Sequence, residues 1–165
     1  MASPRFSQSH GIVPIIIPLA DNYNTIVAAE ESIDMALYNH ATFLFLFSTT
    51  MAGEAGVLTM GAGNTRGLAT AAVTFTYRFG TAAVLLAGSD VLITPATSVA
   101  LTMTTALAQS KVLVVEVDAD DMWIANVQYQ YLTPAYDDAG TAGIFSCVAV
   151  LSEPRYARNV MPTAL

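Results

Sequence analysis

Short runs of aromatic and β-branched residues, each closed by glycine, proline, asparagine or aspartate, follow one another along most of this chain. Few architectures accept such a pattern. Residues 43–50 read FLFLFSTT, 111–118 KVLVVEVD and 144–152 IFSCVAVLS. Each run is short and rich in residues that suit a pleated, half-buried surface, so each predicts a strand. Residues 69–79 alternate: Val73, Phe75, Tyr77 and Phe79 share one face, and Thr74, Thr76 and Arg78 the other. A period of two marks a half-buried strand. Residues 128–133 set Gln128 and Gln130 against Tyr129 and Tyr131. The run at 43–50 is expected to be covered on both faces, and 144–152 carries apolar side chains on both. Weaker strand signals lie at 56–60, 91–94 and 99–102. The segments AGEAG, GAGNTRG, AGSD, TPATS and DDAGTAG between them read as turns. This punctuation predicts an all-β protein, an antiparallel β-sandwich or barrel of jelly-roll-like form.

Helix is scarce. Residues 24–40 fit a helical face through Ile26, Ile33 and Leu37, and a strand equally well through Ile33, Met35 and Leu37. A strand followed by one helical turn at 35–39 is the favoured reading. A second single turn is expected at 120–125, started by Asp118 as its cap.

Residues 1–22 differ from the rest. They hold three of the seven prolines, Pro4, Pro14 and Pro18, which argue against a helix and against a central strand. The aliphatics among them are Ile12, Val13, Ile15, Ile16, Ile17 and Leu19. Burying all six would return about 9–18 kcal/mol, and ordering ten residues costs about 10–20 kcal/mol of backbone entropy. The segment is therefore expected to be an extended N-terminal arm, ordered when docked on a neighbour, with residues 23–165 forming the β-domain and its short C-terminal tail. The other reading is a first strand of the domain's own sheet.

Composition limits the function. Of the 165 residues 54% are hydrophobic and 12% charged, with a net charge of −7 and six Lys plus Arg. Phosphate backbones demand many cations, so nucleic acid is disfavoured as a partner. Prolines interrupt the longest apolar stretch, 12–20, so no membrane-spanning helix and no signal peptide is expected. One cysteine, Cys147, permits no intrachain disulfide. A chain this poor in charge must hide apolar strand faces such as Ile144, Val148 and Val150, so a homo-oligomer is expected.

Candidate chemistry is thin. Asp118, Asp120 and Asp121 are the best metal candidates, but an EF-hand loop counted from Asp118 would place Trp123 and Tyr129 where glycine and glutamate belong. A solvated strand-to-turn corner explains them better, and no metal or cofactor is expected. His40, expected in a turn at 38–40, could be drawn into a triad with Cys147, but Cys147 sits among core-type residues as an inert thiol. The loop GAGNTRG lacks the lysine of a phosphate loop and reads as a hairpin connection. No enzymatic activity is expected. In the tail, Arg155 and Arg158 could pin an acidic partner surface, or the chain end could lie along the sheet with Tyr156 packed. Trp123, Tyr129, Tyr131 and Tyr136 would serve a rival reading, a carbohydrate- or ligand-binding sandwich.

Three segments together carry a resemblance: SIDMALYNHATFLFLF (32–47), VTFTYRF (73–79) and VEVDADDM, VQYQYLTPAY and FSCVAVLSEPRYA within 115–157. The arrangement resembles small structural proteins encoded near the capsid genes of tailed bacteriophages, among them capsid decoration, or cement, proteins. The similarity spans most of residues 27–157, and its motifs are packing patterns. It implies a structural virion protein, made in the host cytoplasm and bound to the outer capsid surface as a homo-oligomer, a trimer, with the major capsid protein as partner. Residues Ile12, Val13, Ile15, Ile16, Ile17, Leu19, Arg155 and Arg158 are the expected contacts. A tail-tube or head-completion protein is the nearest alternative.

Overall fold

The computed structural model describes residues 6–18, 32–51, 56–84, 86–137 and 143–155. Six strands form one antiparallel sheet, in the order β1 (Gly11–Ile16), β13 (Gly143–Pro154), β3 (Tyr38–Met51), β9 (Val112–Asp118), β6 (Phe75–Phe79) and β7 (Ala96–Ser98). The second sheet runs β2 (Ile33–Asp34), β12 (Tyr131–Asp137) and β4 (Gly56–Gly63). β5 (Ala71–Ala72) and β8 (Ala100–Met103) share the far edge of β4. A small hairpin joins β10 (Trp123–Ile124) to β11 (Val127–Gln128). Among the described residues, helix is confined to single turns: α1 (Phe6–Ser9), α2 (Thr105–Ala108) and 3-10 turns at Met35–Leu37 and Ala119–Met122. The protein is thus an antiparallel, sandwich-like all-β fold.

The core follows from alternation. On β3, Phe43, Phe45 and Phe47 point inward, and their β13 neighbours Phe145, Cys147 and Ala149 join them. Phe145 stacks on Phe47 with ring centres 5.6 Å apart and meets Tyr136 of the second sheet at 5.0 Å. Aromatic side chains, the largest apolar groups available, thereby tie one layer to the other. A buried polar pair accompanies them. Ser32 Oγ and Thr133 Oγ1 lie 2.8 Å apart, and the Gly67 amide donates to Ser32 Oγ.

Several expectations are corrected. The run at 43–50 is covered on one face only, since Leu44 and Leu46 are exposed between the buried phenylalanines. The alternating run at 69–79 is split: β5 belongs to the second sheet and β6 to the first, so the chain crosses between layers near Val73. The pattern survives because Val73, Phe75 and Phe79 stay inward on both sides of the crossing. TPATS contributes β7 rather than a pure turn, whereas 91–94 is no strand and makes one bridge, Gly80 to Leu92. His40 lies in β3, not in a turn. The helical turns fall at Met35–Leu37 and Ala119–Met122, close to their expected places, and the loop after Gly63 connects β4 to β5 as a hairpin.

Residues 11–16 differ most from expectation. Instead of an arm waiting for another subunit, they form β1, an edge strand paired with β13 of the same chain. Pro14 is tolerated because an edge strand leaves one side of its backbone unpaired. A bulge between Pro14 and Ile16 places Ile15 and Ile16, consecutive residues, both inward. A helical turn, α1, precedes them although the prolines argued against helix here. Its four residues contain none, and Phe6 stacks on His10 at 4.2 Å.

Candidate interaction surface

The outer face of the six-stranded sheet is built by the same alternation that fills the core. Across it the register aligns Ile12 with Val150, Pro14 with Val148, Val148 with Leu44, and Leu44 with Val114. Leu46 and Val112 form the next row. Every one of these side chains faces away from the second sheet. Ile12 is 53% exposed, Leu44 37% and Leu46 48%, and Ile144, Val148 and Val150 are half-buried by their neighbours alone. Leucines side by side in water are unfavourable at about 25 cal/mol per Å² of apolar surface.

One corner of this face is charged. His40 Nδ1 lies 2.6 Å from Asp118 Oδ1, and its Nε2 lies 3.1 Å from Thr42 Oγ1 and 3.7 Å from Glu116 Oε1. Thr42, Glu116 and Thr76 continue the polar border, with Arg78 beyond, its Nε donating to the Ile93 carbonyl. The result is an apolar centre with a polar rim, the anatomy of a protein–protein contact.

Around the turn after β9, an open cleft is lined by Asn39, Asp118, Asp120, Asp121 and Glu153. The Asp118 amide donates to Asp121 Oδ2, so one carboxylate is spent on closing the turn. Among the described residues no group of three or more His, Cys, Asp or Glu side chains is placed to hold a metal ion.

The expected contact residues divide. Val13, Ile15 and Ile16 are in the core, Ile12 and Ile17 are exposed, and Leu19 lies outside the described residues. Arg155 is exposed at the end of β13, where its amide donates to the Leu37 carbonyl; Arg158 and Tyr156 lie outside the described residues. Cys147 is fully buried, opposite Phe45 on β3. His40 is an odd number of residues from Phe45, so it faces outward and no triad with Cys147 forms. Of the aromatics considered for sugar stacking, Trp123 is exposed but Tyr136 is in the core, so the four share no exposed platform.

Leu44 and Leu46 were hidden inside an apolar run, and only the alternation of phenylalanine with leucine separates their face. Comparison with protein-family models, with curated proteins and with solved structures found no match.

Proposed function

We propose that this protein is a structural component of a tailed-bacteriophage virion, a capsid decoration protein that associates with copies of itself and binds the major capsid protein on the outer shell. The observation that carries the proposal is the apolar outer face of the six-stranded sheet, centred on Leu44, Leu46 and Val148 and bordered by His40, Glu116 and Thr76. A chain with 12% charged residues and such a face gains by covering it. The resemblance of segments 32–47, 73–79 and 115–157 to phage structural proteins supplies the setting. The mechanism is mechanical: many modest contacts, repeated over a lattice, add up to resistance of the shell to internal pressure.

Co-sedimentation with preformed phage shells tests the proposal. Saturable pelleting with shells, and none without them, is expected. Long tubes or stacked rings that pellet without shells would favour a tail-tube role instead, and failure to pellet with shells at micromolar concentration would overturn capsid binding.

A further inference from the structure

The chain's single tryptophan stands in water, on a hairpin separate from the outer face of the sheet. β9 of the first sheet and β12 of the second are joined by the 3-10 turn Ala119–Met122 and the β10–β11 hairpin. Trp123, on β10, is 59% exposed, and Val127, on β11, is exposed as well. The indole N–H has no hydrogen-bond partner among the described residues. The hairpin is nevertheless firmly tied. Ile124 packs against the core. The Tyr129 amide donates to the Met122 carbonyl, and Gln128 Nε2 donates to the Ala119 carbonyl at 3.1 Å. Ala125 and Asn126 close the turn with φ of 51° and 65°, the paired left-handed values of a type I′ turn, whose twist matches its two strands. An aromatic side chain on a short, tied support loses little freedom on being covered. Tryptophan is also among the side chains enriched at the anchors of protein contacts.

The surroundings define the partner that fits. Asp120 and Asp121 lie in the turn just before Trp123, whose amide donates to the Asp120 carbonyl. The open cleft beside that turn adds Asp118 and Glu153, with no Lys or Arg in its lining. Asp118 is held by His40, and Asp121 accepts from the Asp118 amide. The Asp120 and Glu153 carboxylates have no partner among the described residues. Arg155, beside Gln128 and Tyr129, offsets one of the four charges. Trp123 therefore projects from an anionic corner. An anionic partner would set like charges against each other there, whereas a cationic border would complete the contact. A second copy, with a net charge of −7 and six Lys plus Arg, is poorly supplied for that role. Resting on the capsid binding proposed above, we infer that the β10–β11 hairpin is the element that grips the shell. Trp123 enters an apolar pocket of the major capsid protein bordered by Lys or Arg side chains, and the sheet face is left for copies of the chain.

As the one tryptophan of the chain, Trp123 reports its own burial. Replaced biosynthetically by 5-hydroxytryptophan, it is excited apart from the tryptophans of the shell. In the free protein its emission is expected to be quenched readily, and by caesium more than by iodide. On preformed phage shells quenching by acrylamide is expected to fall sharply. Trp123→Ala is expected to keep the circular dichroism spectrum and the oligomeric mass of wild type and to weaken shell binding at least about tenfold. Asp120→Asn is expected to weaken it about threefold and to flatten its decline with rising salt. Full quenching on shells that do pellet the protein would overturn the hairpin contact and leave capsid binding standing. Protection already present in the free protein, lost together with oligomeric mass in Trp123→Ala, would overturn it in favour of a second copy. Stronger quenching by iodide than by caesium would refute the anionic setting. Absence of pelleting would refute capsid binding, and this inference with it.

Discussion

Strand β1 is an edge element whose energy balance lies close to zero, and Ile15→Ala reads it. Val13, Ile15 and Ile16 are 6%, 6% and 8% exposed, and at about 1.5–3 kcal/mol each their burial returns about 5–9 kcal/mol. Fixing the six backbones of Gly11–Ile16 costs about 6–12 kcal/mol. Ladder bonds to β13, at about 0.5–1.5 kcal/mol each, close the remaining gap. Truncating Ile15 removes about 2–5 kcal/mol, as much as the strand has in reserve. The expected outcome is local. Amides of residues 11–16 lose hydrogen-exchange protection, while those of Phe43, Phe45 and Val115 in the sheet centre keep theirs. Urea unfolding of the remainder is expected to fall by less than the full truncation cost. Ile17→Ala, at a position 60% exposed, is the control and should stay within about 0.5 kcal/mol of wild type. Uniform loss of protection throughout the sheet would instead make β1 part of the cooperative core and rule out its local opening. Unchanged protection in residues 11–16 would refute the burial of Ile15.

Cys147→Ala leaves a small cavity between β3 and β1, with an expected cost of about 1–2 kcal/mol in denaturant unfolding; the native thiol should resist a bulky labelling reagent until the protein unfolds. Ser32→Ala strands the Thr133 hydroxyl and the Gly67 amide, and a loss of about 1–3 kcal/mol is expected by thermal or urea unfolding. Burial of Tyr38 pushes its phenol above the ordinary value of 10.0. The folded state therefore holds that proton more tightly than the unfolded one. The resulting stability is present below about pH 10 and is lost as pH rises through the folded-state value. In Tyr38→Phe the alkaline decline, followed by circular dichroism, should be shallower.

Much of the fold was legible because period two survives tertiary packing. The runs at 111–118 and 144–152 became β9 and β13, and the turn expected before His40 became Met35–Leu37; of the strand expected ahead of it only β2, Ile33–Asp34, is seen, since 24–31 lie outside the described residues. What escaped depends on long-range pairing. Nothing local in residues 69–79 says that Ala71 and Ala72 pair with β4 while Phe75 begins a strand of the other sheet. Nothing local tells an aliphatic, proline-bearing segment whether its slot lies on its own β13 or elsewhere. The outer face was half visible, through Ile144, Val148 and Val150. Leu44 and Leu46 were not, because phenylalanine and leucine are both apolar and only side-chain size favours the ring for the core. The loop at 80–95 was read as a weak strand and a turn, since its apolar residues lack the partner strand that would have buried them.

Light scattering of the full chain at micromolar concentration bears most directly on the central claim, that the apolar outer face serves association. The expected mass is a small multiple of the 17.4 kDa chain, threefold for a closed trimer, collapsing to the single-chain mass in Leu46→Asp without loss of the β-sheet circular dichroism signal. A stable wild-type monomer, or an assembly indifferent to a charge at Leu46, would contradict it.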